Sequence, residues 1–205
     1  MLAHLSPGEI FRQEIARQSP LGRRVQHYVT SGRLVPDSLV VQVMADRIRR
    51  YRAGQGFVLD GFPRTAGQAA GLDRILRRQR QSLSGAVYLT SPEPLLVRRL
   101  SGRRVCGRCG ASYHLRTMRP KRAGVCDRCR GRLITRKDDQ PDTIKKRLSL
   151  DRKSATPLLT YYRRRQLLHR VDGRGHIDTV YRRTLRVFRR LGWVSDDRTQ
   201  NRRGT

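Results

Sequence analysis

The chain has 205 residues, and its 46 Lys and Arg against 16 Asp and Glu give a formal net charge of +30 at pH 7. This length suits one domain with a small insertion, and the mean hydropathy of −0.68 is lean without being that of a disordered chain. No run of about 18 apolar residues occurs, which excludes a helical membrane span, and the first residues lack the features of a secretory signal. The composition therefore predicts a cytoplasmic globular protein that attracts polyanions.

The N-terminal part of the chain predicts three helices. Ser6 is the predicted N-cap of the first, with a proline directly after it, and Glu9 completes a capping box. The second helix is predicted over residues 21–30, with an end near Gly32. The third is predicted over residues 36–48, where apolar residues recur at helical spacing.

Three later segments alternate between strand and helix. Residues 56–60 form a short apolar run that indicates a strand buried on both faces. The predicted strands are residues 56–60, 86–89 and 168–171, and the helices that follow them begin at Thr65, Pro92 and Asp178. This alternation predicts an α/β fold with a parallel sheet flanked by helices.

Four cysteines interrupt that pattern in a stretch rich in Cys, Gly and Arg, residues 105–136. Their spacing is Cys106-x2-Cys109-x16-Cys126-x2-Cys129. Such paired knuckles place four thiolates on one tetrahedral Zn²⁺, each sulfur about 2.3 Å from the metal. The alternative is two disulfides or four free thiols. Because four thiolates leave no open coordination position, the predicted zinc is structural and holds together a module with almost no apolar core.

A second motif, Asp-Gly-Phe-Pro-Arg at residues 60–64, follows the first predicted strand. An acid at the C-terminal end of a parallel strand lies where ligands bind in open α/β sheets. The Asp60 carboxylate is suited to orienting Mg²⁺ or its bound water, and Arg64 can hold a phosphate through its planar guanidinium. The alternative interpretation is a loop acid that forms a salt bridge with Arg64.

Together these motifs resemble the zinc-lid adenylate kinases, and the match runs from His4 to about Phe188. Several shorter segments match that family in the same order as the two motifs. They are residues 6–12, 34–37, 60–68, 99–104, 113–114, 135–139, 147 and 171–173. The resemblance implies a P-loop-kinase-like parallel sheet flanked by helices, with its first strand missing and a zinc-binding lid inserted.

The resemblance also implies a division into domains. A core domain would comprise residues 1–104 and 137–194, with the AMP-binding helices at residues 6–35. The lid would comprise residues 105–136, with Asp138 and Asp139 at the hinge, and residues 195–205 would form a flexible basic tail.

The activity that the resemblance implies is reversible phosphoryl transfer from Mg·ATP to AMP, giving two ADP. Such a transfer requires positioning and positive charge around the phosphoryl oxygens rather than a protein nucleophile. The residues implied at the AMP pocket are Arg12, Arg33, Leu34, Val35, Gly61, Phe62, Pro63, Arg64, Gln68, Arg136 and Arg147. Those implied at the ATP site are Arg99, Arg103, Ser112, Tyr113 and Gly175. The implied catalytic residues are Asp60, which holds magnesium-bound water, and Arg64, Arg103, Arg136 and Arg147.

The implied cofactors are a structural Zn²⁺ and the Mg²⁺ that accompanies ATP. The implied partners are AMP, ATP and ADP, without a membrane, and we expect a monomer. The cysteine ligands implied for the zinc are the same four that the spacing predicts: Cys106, Cys109, Cys126 and Cys129.

The printed sequence lacks one hallmark of that family, since it contains no Gly-x4-Gly-Lys phosphate-binding loop. The strand that precedes such a loop is central in the family's sheet, so its absence leaves unpaired backbone on both neighbouring strands. One account is that Met1 is internal to a longer, complete enzyme. The other is that the chain is a catalytically inactive homologue that binds RNA or the ribosome, as its charge and five arginines in the last helix suggest. Those arginines are Arg182, Arg183, Arg186, Arg189 and Arg190.

Overall fold

The computed structural model describes residues 2–51 and 56–194, which fold into helices and strands in the alternating order that the sequence predicts. The α-helices of this part are α1 (Pro7–Ala16), α2 (Pro20–Ser31), α3 (Asp37–Ile48), α4 (Ala66–Arg78), α5 (Glu93–Ser101), α6 (Pro141–Arg164) and α7 (Ile177–Arg190). The strands are β1 (Ala3–Leu5), β2 (Phe57–Leu59), β3 (Ala86–Thr90), β4 (Arg103–Cys106), β5 (Ser112–His114), β6 (Leu133–Ile134) and β7 (Leu168–Asp172). A single turn of 3-10 helix (Lys137–Asp139) precedes α6.

The predicted helix ends agree with the structure, but the predicted capping box is wrong. Ser6 is the N-cap of α1, yet its side chain makes no capping hydrogen bond. Glu9 instead lies 3.7 Å from the His4 ring. At α2 the capping residue is Ser19, whose hydroxyl accepts a hydrogen bond from the Gly22 amide. The helix ends at Gly32, whose φ of 69° is the left-handed conformation that glycine adopts without strain.

Among the elements that the sequence analysis did not predict are β1, α6 and the three strands of the Cys-rich stretch. The strand β1 is only three residues long, too short for an alternating pattern to be recognised. The helix α6 is 24 residues long, but only Ile144 and Tyr162 are buried along it. Its many exposed charged residues and the proline within it, Pro157, conceal the apolar periodicity by which a helix is recognised.

The parallel sheet consists of two separate pairs of strands. β1 pairs with β2, with Ala3 opposite Phe57, and β3 pairs with β7, with Ala86 opposite Leu168. Among the described residues no strand connects the two pairs, so β2 and β3 each make main-chain hydrogen bonds along one edge only. The expectation of unpaired edges at the position of the missing central strand is therefore confirmed for this part of the chain.

The prediction that residues 56–60 form a strand buried on both faces is wrong. Val58 in β2 is 42% exposed, and Leu89 in β3 is 53% exposed. A sheet of two strands is too narrow to be covered on both faces, so water reaches side chains that a wider sheet would bury.

The main apolar core lies between the first pair of strands and helices α1 to α4. Val25, Met44, Ile48 and Leu72 are completely buried in it. Because this core fixes the ends of α1, α3 and β2 relative to one another, it sets the position of the loops that carry several candidate site residues.

The Cys-rich stretch folds as a separate three-stranded antiparallel sheet in the order β5-β4-β6. It begins at Arg103, where β4 starts directly after α5. The Leu115 amide donates a hydrogen bond of 2.9 Å to the Gly102 carbonyl, which holds the small sheet against the end of α5. We refer to residues 105–136 as the lid.

Two further expectations concern the C-terminal tail and membrane-spanning helices. The predicted flexible tail, residues 195–205, lies outside the described residues. No helix in the described part of the chain is sufficiently long and apolar to span a membrane.

Replacing Gly22 by Ala tests the close contact between α1 and α2. A Cβ atom at this position would lie 2.2 Å from the main-chain oxygen of Glu14, so the two helices would have to separate. Helix propensity alone favours alanine by about 1 kcal/mol. We expect the steric overlap to dominate and G22A to lower the free energy of unfolding by about 1–3 kcal/mol, measured by urea denaturation.

The control is Gln26→Ala, on the exposed side of the same helix. This variant should change the free energy of unfolding by less than about 0.5 kcal/mol. A stability of G22A equal to or above that of the wild type would contradict the close packing of the two helices.

Candidate functional site

Five half-buried arginines from different parts of the chain form the centre of the candidate site. They interact electrostatically with one another or with the same acidic residues. They are Arg12 on α1, Arg64 after β2, Arg103 at the start of β4, Arg136 before the 3-10 helix and Arg147 on α6. We call them the arginine cluster. All five are among the residues that the resemblance assigns to the nucleotide sites.

The arginines of this cluster destabilise one another's charge. Burial and the positive charges of Arg12 and Arg103 lower the pKa of Arg136 to about 10. Burial, together with the charge of Arg64, also lowers the pKa of Arg147. Burial is the main cause of the lowered pKa of Arg12 as well. These guanidinium groups remain protonated at pH 7, so the site holds excess positive charge that an anion such as a phosphate would neutralise.

Two adjacent buried aspartates partly compensate this charge. Asp139, whose side chain is fully buried, accepts hydrogen bonds of 2.8 and 2.5 Å from Nε and Nη2 of Arg103. Asp138 lies 3.5 Å from Nη1 of Arg147. The sequence placed both aspartates at a hinge, and their ion pairs with the cluster were not predicted. The available signal was the retention of two adjacent acids in a chain with few acidic residues.

The loop after β2 is held by hydrogen bonds that fix Arg64. The Phe62–Pro63 peptide bond is cis. The Arg64 side chain donates from Nε to the Gly61 carbonyl at 3.0 Å, and its amide donates to Oε1 of Gln68 at 2.8 Å. Its guanidinium also lies 3.5 Å from the Asp151 carboxylate. Two hydrogen bonds and an ion pair therefore hold both the main chain and the guanidinium group of Arg64.

Asp37, the first residue of α3, contacts this loop and was not identified as a site residue by the sequence analysis. Its carboxylate accepts a hydrogen bond of 2.8 Å from Nε2 of Gln68 and one of 2.6 Å from the Thr65 hydroxyl. Gln68 is buried, and these contacts fix which way its amide points. Asp37 was recognised only as part of a matching segment, because its contact with Gln68 spans 31 positions in the chain.

The other residues predicted for the AMP pocket differ in exposure. Arg33 and Gly61 are exposed, and Leu34 and Pro63 are half-buried. Val35 and Phe62 are buried members of the main apolar core. The side chains of these last two residues pack inside the protein, so only their main-chain atoms remain for contact with a ligand.

Asp60 lies at the C-terminal end of β2, where the motif predicts it. Its carboxylate contacts Nε2 of His4 at 3.2 Å and is largely exposed. The alternative interpretation, a salt bridge with Arg64, is not formed, because the acid within reach of Arg64 is Asp151. An exposed carboxylate at this edge of the sheet has the chemistry that Mg²⁺ and its bound water require.

A cavity of about 750 Å³ lies between α5, the lid and the start of α7. All five residues predicted for the ATP site line it: Arg99, Arg103, Ser112, Tyr113 and Gly175. A cavity of this volume can contain a nucleotide. Its lining also includes His114, Met118, Ile177 and Val180, which the sequence analysis did not identify because they belong to elements distant in the chain.

Two of the predicted ATP-site residues also stabilise the walls of this cavity. Arg99 donates a hydrogen bond of 2.9 Å from Nη2 to the carbonyl of Gly175, whose φ of 97° is suited to glycine. The Tyr113 hydroxyl contacts Sγ of Cys126 at 3.4 Å, and its ring is buried in the lid. Arg103 belongs both to this cavity and to the arginine cluster, so the two regions meet at its side chain.

The four cysteines of the lid meet as one cluster. All their sulfur atoms lie within 4.8 Å of one another. The contacts between Cys106 and Cys129 and between Cys109 and Cys126 are 3.4 and 3.6 Å. These distances exceed the S–S bond length of about 2.05 Å and are close to the spacing of about 3.8 Å for sulfurs bound tetrahedrally to zinc. The hydrogen bond from Tyr113 lowers the pKa of the Cys126 thiol to about 6, which favours the thiolate that a metal binds.

Comparisons with known proteins identify the family to which this chain is similar. The profile of the adenylate kinase family matches residues 1–167. The adenylate kinase of Clostridium tetani is 41% identical over 180 residues, which cover 88% of this chain and 83% of that protein. That of Clostridium botulinum strain 657 is 42% identical over 180 residues with the same coverage. That of Lachnospira eligens is 40% identical over 187 residues, covering 91% of this chain and 88% of that protein.

Removal of one cysteine should release zinc from the lid without unfolding the rest of the protein. We expect Cys126→Ser to lower the zinc content from about one ion per chain to near zero, because three thiolates bind a structural zinc far less tightly than four. Far-UV circular dichroism should retain the helical signal of the core. Thr117→Ala, an exposed lid variant that leaves all four thiolates in place, is the control. Metal analysis that finds no zinc in wild-type protein would contradict the assignment.

Proposed function

Because the chain belongs to the adenylate kinase family, we propose that it transfers a phosphoryl group between Mg·ATP and AMP to give two ADP. The observation that carries this proposal is the arginine cluster, which lies between the loop after β2 and the cavity beside the lid. A site with excess positive charge in half-buried surroundings is what a transferring phosphoryl group requires.

In this proposal each end of the site binds one nucleotide. AMP binds at the loop after β2, where Arg64 and Gln68 are already held in place. ATP binds in the cavity of about 750 Å³, with its phosphates directed toward Arg103. Arg136 and Arg147 then lie where the two phosphate chains meet and stabilise the negative charge on the transferring group.

The acidic residues of the site have separate roles in the proposed transfer. Asp138 and Asp139 hold the guanidinium groups of Arg147 and Arg103 in place rather than touching substrate. Asp60 would hold water bound to magnesium at the end of β2. Mg²⁺ bound with ATP would supply positive charge to the phosphate oxygens.

We further propose that the 205 residues as printed bind AMP but transfer the phosphoryl group very slowly. The family's phosphate-binding loop cradles the ATP phosphates with its amides and a lysine, and the printed sequence contains no such loop. A second cavity, of about 430 Å³, lies at the end of the loop after β2, and its lining includes Pro63, Ser91 and residues of α5 and α6 such as Leu96 and Leu158.

Binding of nucleic acid is the second candidate function, and the net charge of +30 favours it. Asp and Glu are so few that many exposed arginines have no acidic neighbour, and a surface of this kind attracts phosphate polymers. We propose that the nucleic acid bound by this surface is RNA.

Substitution of Arg64 tests the AMP end of the site. We expect Arg64→Gln to weaken AMP binding roughly 10- to 100-fold, the loss expected for one charged hydrogen-bond donor to a phosphate, measured by isothermal titration calorimetry. Arg78→Gln, an exposed substitution on α4 with the same change in charge, is the control. Equal AMP affinities of the two variants would contradict the proposed AMP site.

The proposed requirement for a phosphate-binding loop can be tested by adding such a loop to the chain. The printed chain should turn over well below about 1 s⁻¹ in a coupled assay of ADP formation, because each oriented phosphate donor contributes roughly 100- to 1,000-fold to the rate. Fusing a strand that ends in Gly-x4-Gly-Lys to the N-terminus should raise the rate by at least about 100-fold.

The same fusion with Met in place of the lysine is the control and should recover little of that rate. Turnover near 1 s⁻¹ by the printed chain itself would contradict the proposed requirement for the loop.

A further inference from the structure

The helix α7 separates its arginines from its apolar residues. With 100° of rotation per residue, its five arginines occupy one contiguous side and its Val, Leu and Phe residues occupy the other. Asp178 is the single acidic residue of the helix. The arginine side has a net positive charge along its whole length.

The structure divides these arginines into two groups. Arg183 turns toward the end of β7, where it donates hydrogen bonds of 3.0 and 2.7 Å to the carbonyls of Asp172 and Arg174. It therefore supports the loop that leads to Gly175, and part of its side chain remains exposed. In contrast, Arg182, Arg186 and Arg190 are exposed and form no ion pair with any other described residue. We call these three the α7 arginine face, and Arg189 lies beside it.

Aromatic contacts hold the C-terminal end of α7. Phe188 packs against Trp193 with ring centroids 5.4 Å apart, and Trp193 in turn packs against His169 of β7 at 5.7 Å. At the other end of the helix, Val180 lines the cavity beside the lid, and Ile177 and Tyr181 are 61% and 63% exposed. The aromatic contacts therefore fix the end of α7 that carries Arg186 and Arg190.

The spacing of the face suits a regular row of phosphates. Arg182, Arg186 and Arg190 lie on successive turns, so their Cα atoms span about 12 Å along the helix at 1.5 Å per residue. Duplex DNA carries one phosphate charge per about 1.7 Å of its length, and any duplex of comparable charge density places several phosphates within reach of such a row. Each guanidinium can hold a phosphate through two parallel hydrogen bonds.

We propose that the α7 arginine face binds the phosphate backbone of duplex RNA. This inference rests on the second candidate function and adds the surface, the type of contact and the absence of sequence preference. Phosphate contacts carry no base information, so different RNA sequences should bind alike.

The experiment compares three full-length proteins in fluorescence-anisotropy titrations with a 20-base-pair RNA duplex at several salt concentrations between 0.05 and 0.3 M. The test variant is Arg182→Gln with Arg186→Gln and Arg190→Gln. The control is Arg74→Gln with Arg77→Gln and Arg78→Gln, which removes three exposed arginines from α4 that likewise form no described ion pair. Glutamine preserves helix propensity, and equal circular dichroism spectra and zinc contents establish that all three proteins are folded.

We expect wild type and the α4 variant to bind with steep and similar salt dependence. The α7 variant should bind at least about tenfold more weakly at 0.15 M salt. Its slope of log K against log salt should be shallower by about 2 to 3, since each neutralised duplex phosphate contributes about −0.9. A DNA duplex of the same sequence tests whether the partner is RNA. Tighter binding to the RNA duplex supports the proposal, whereas equal affinity for the two duplexes would mean that the face binds any nucleic-acid duplex.

Four results would overturn the proposal in different ways. Equal losses in the α7 and α4 variants would mean that only diffuse charge attracts RNA, and equal binding by all three proteins would exclude the α7 face. Absence of wild-type binding at 0.15 M salt would overturn the second candidate function itself. Stronger binding to phosphatidylserine vesicles than to RNA at that salt concentration would show that the polyanion is a lipid surface.

Discussion

The mutual repulsion of the arginine cluster is the constraint on which the site depends. Five half-buried guanidinium groups from α1, the loop after β2, β4, the turn before α6 and α6 itself share one region. Asp138, Asp139 and Asp151 compensate only part of this charge. The fold therefore holds positive charge in a place where burial opposes it, and a bound phosphate relieves that cost. Every element that carries a cluster arginine must be fixed well enough to resist the repulsion.

The lid and the main core fix that arrangement by different physical means. The core around Val25, Met44 and Leu72 buries apolar side chains and sets the positions of α1, α3 and β2. The lid has only a small buried cluster, in which Tyr113 packs beside Cys106 and Cys126. The four clustered cysteines could hold a metal, which would supply the rigidity that so small an apolar cluster cannot. Arg103 connects the two, because it begins the lid sheet and its side chain pairs with Asp139 next to α6.

Arginine has distinct physical roles in different parts of this chain. Arg183 and Arg99 donate to main-chain carbonyls and hold the loop around Gly175. The cluster arginines hold charge in half-buried surroundings, while those of the α7 arginine face remain in water. A count of basic residues cannot distinguish these roles, because they depend on which carbonyls and carboxylates the fold brings within hydrogen-bond distance.

The sequence alone predicted the alternation of strands and helices after residue 56, the grouping of four cysteines and the family to which the chain belongs. It could do so because apolar periodicity, cysteine spacing and the Asp-Gly-Phe-Pro-Arg motif act over short stretches of chain. Tertiary structure decided the rest: the exposure of Val58, the pairing of Asp139 with Arg103, the orientation of Gln68 by Asp37, and the hydrogen bonds of Arg183 to the carbonyls before Gly175. Each of these depends on groups nine or more positions apart in the chain or on how many strands a sheet contains. Local sequence patterns do not encode such distances, because burial and hydrogen bonding are decided only when separate elements pack together.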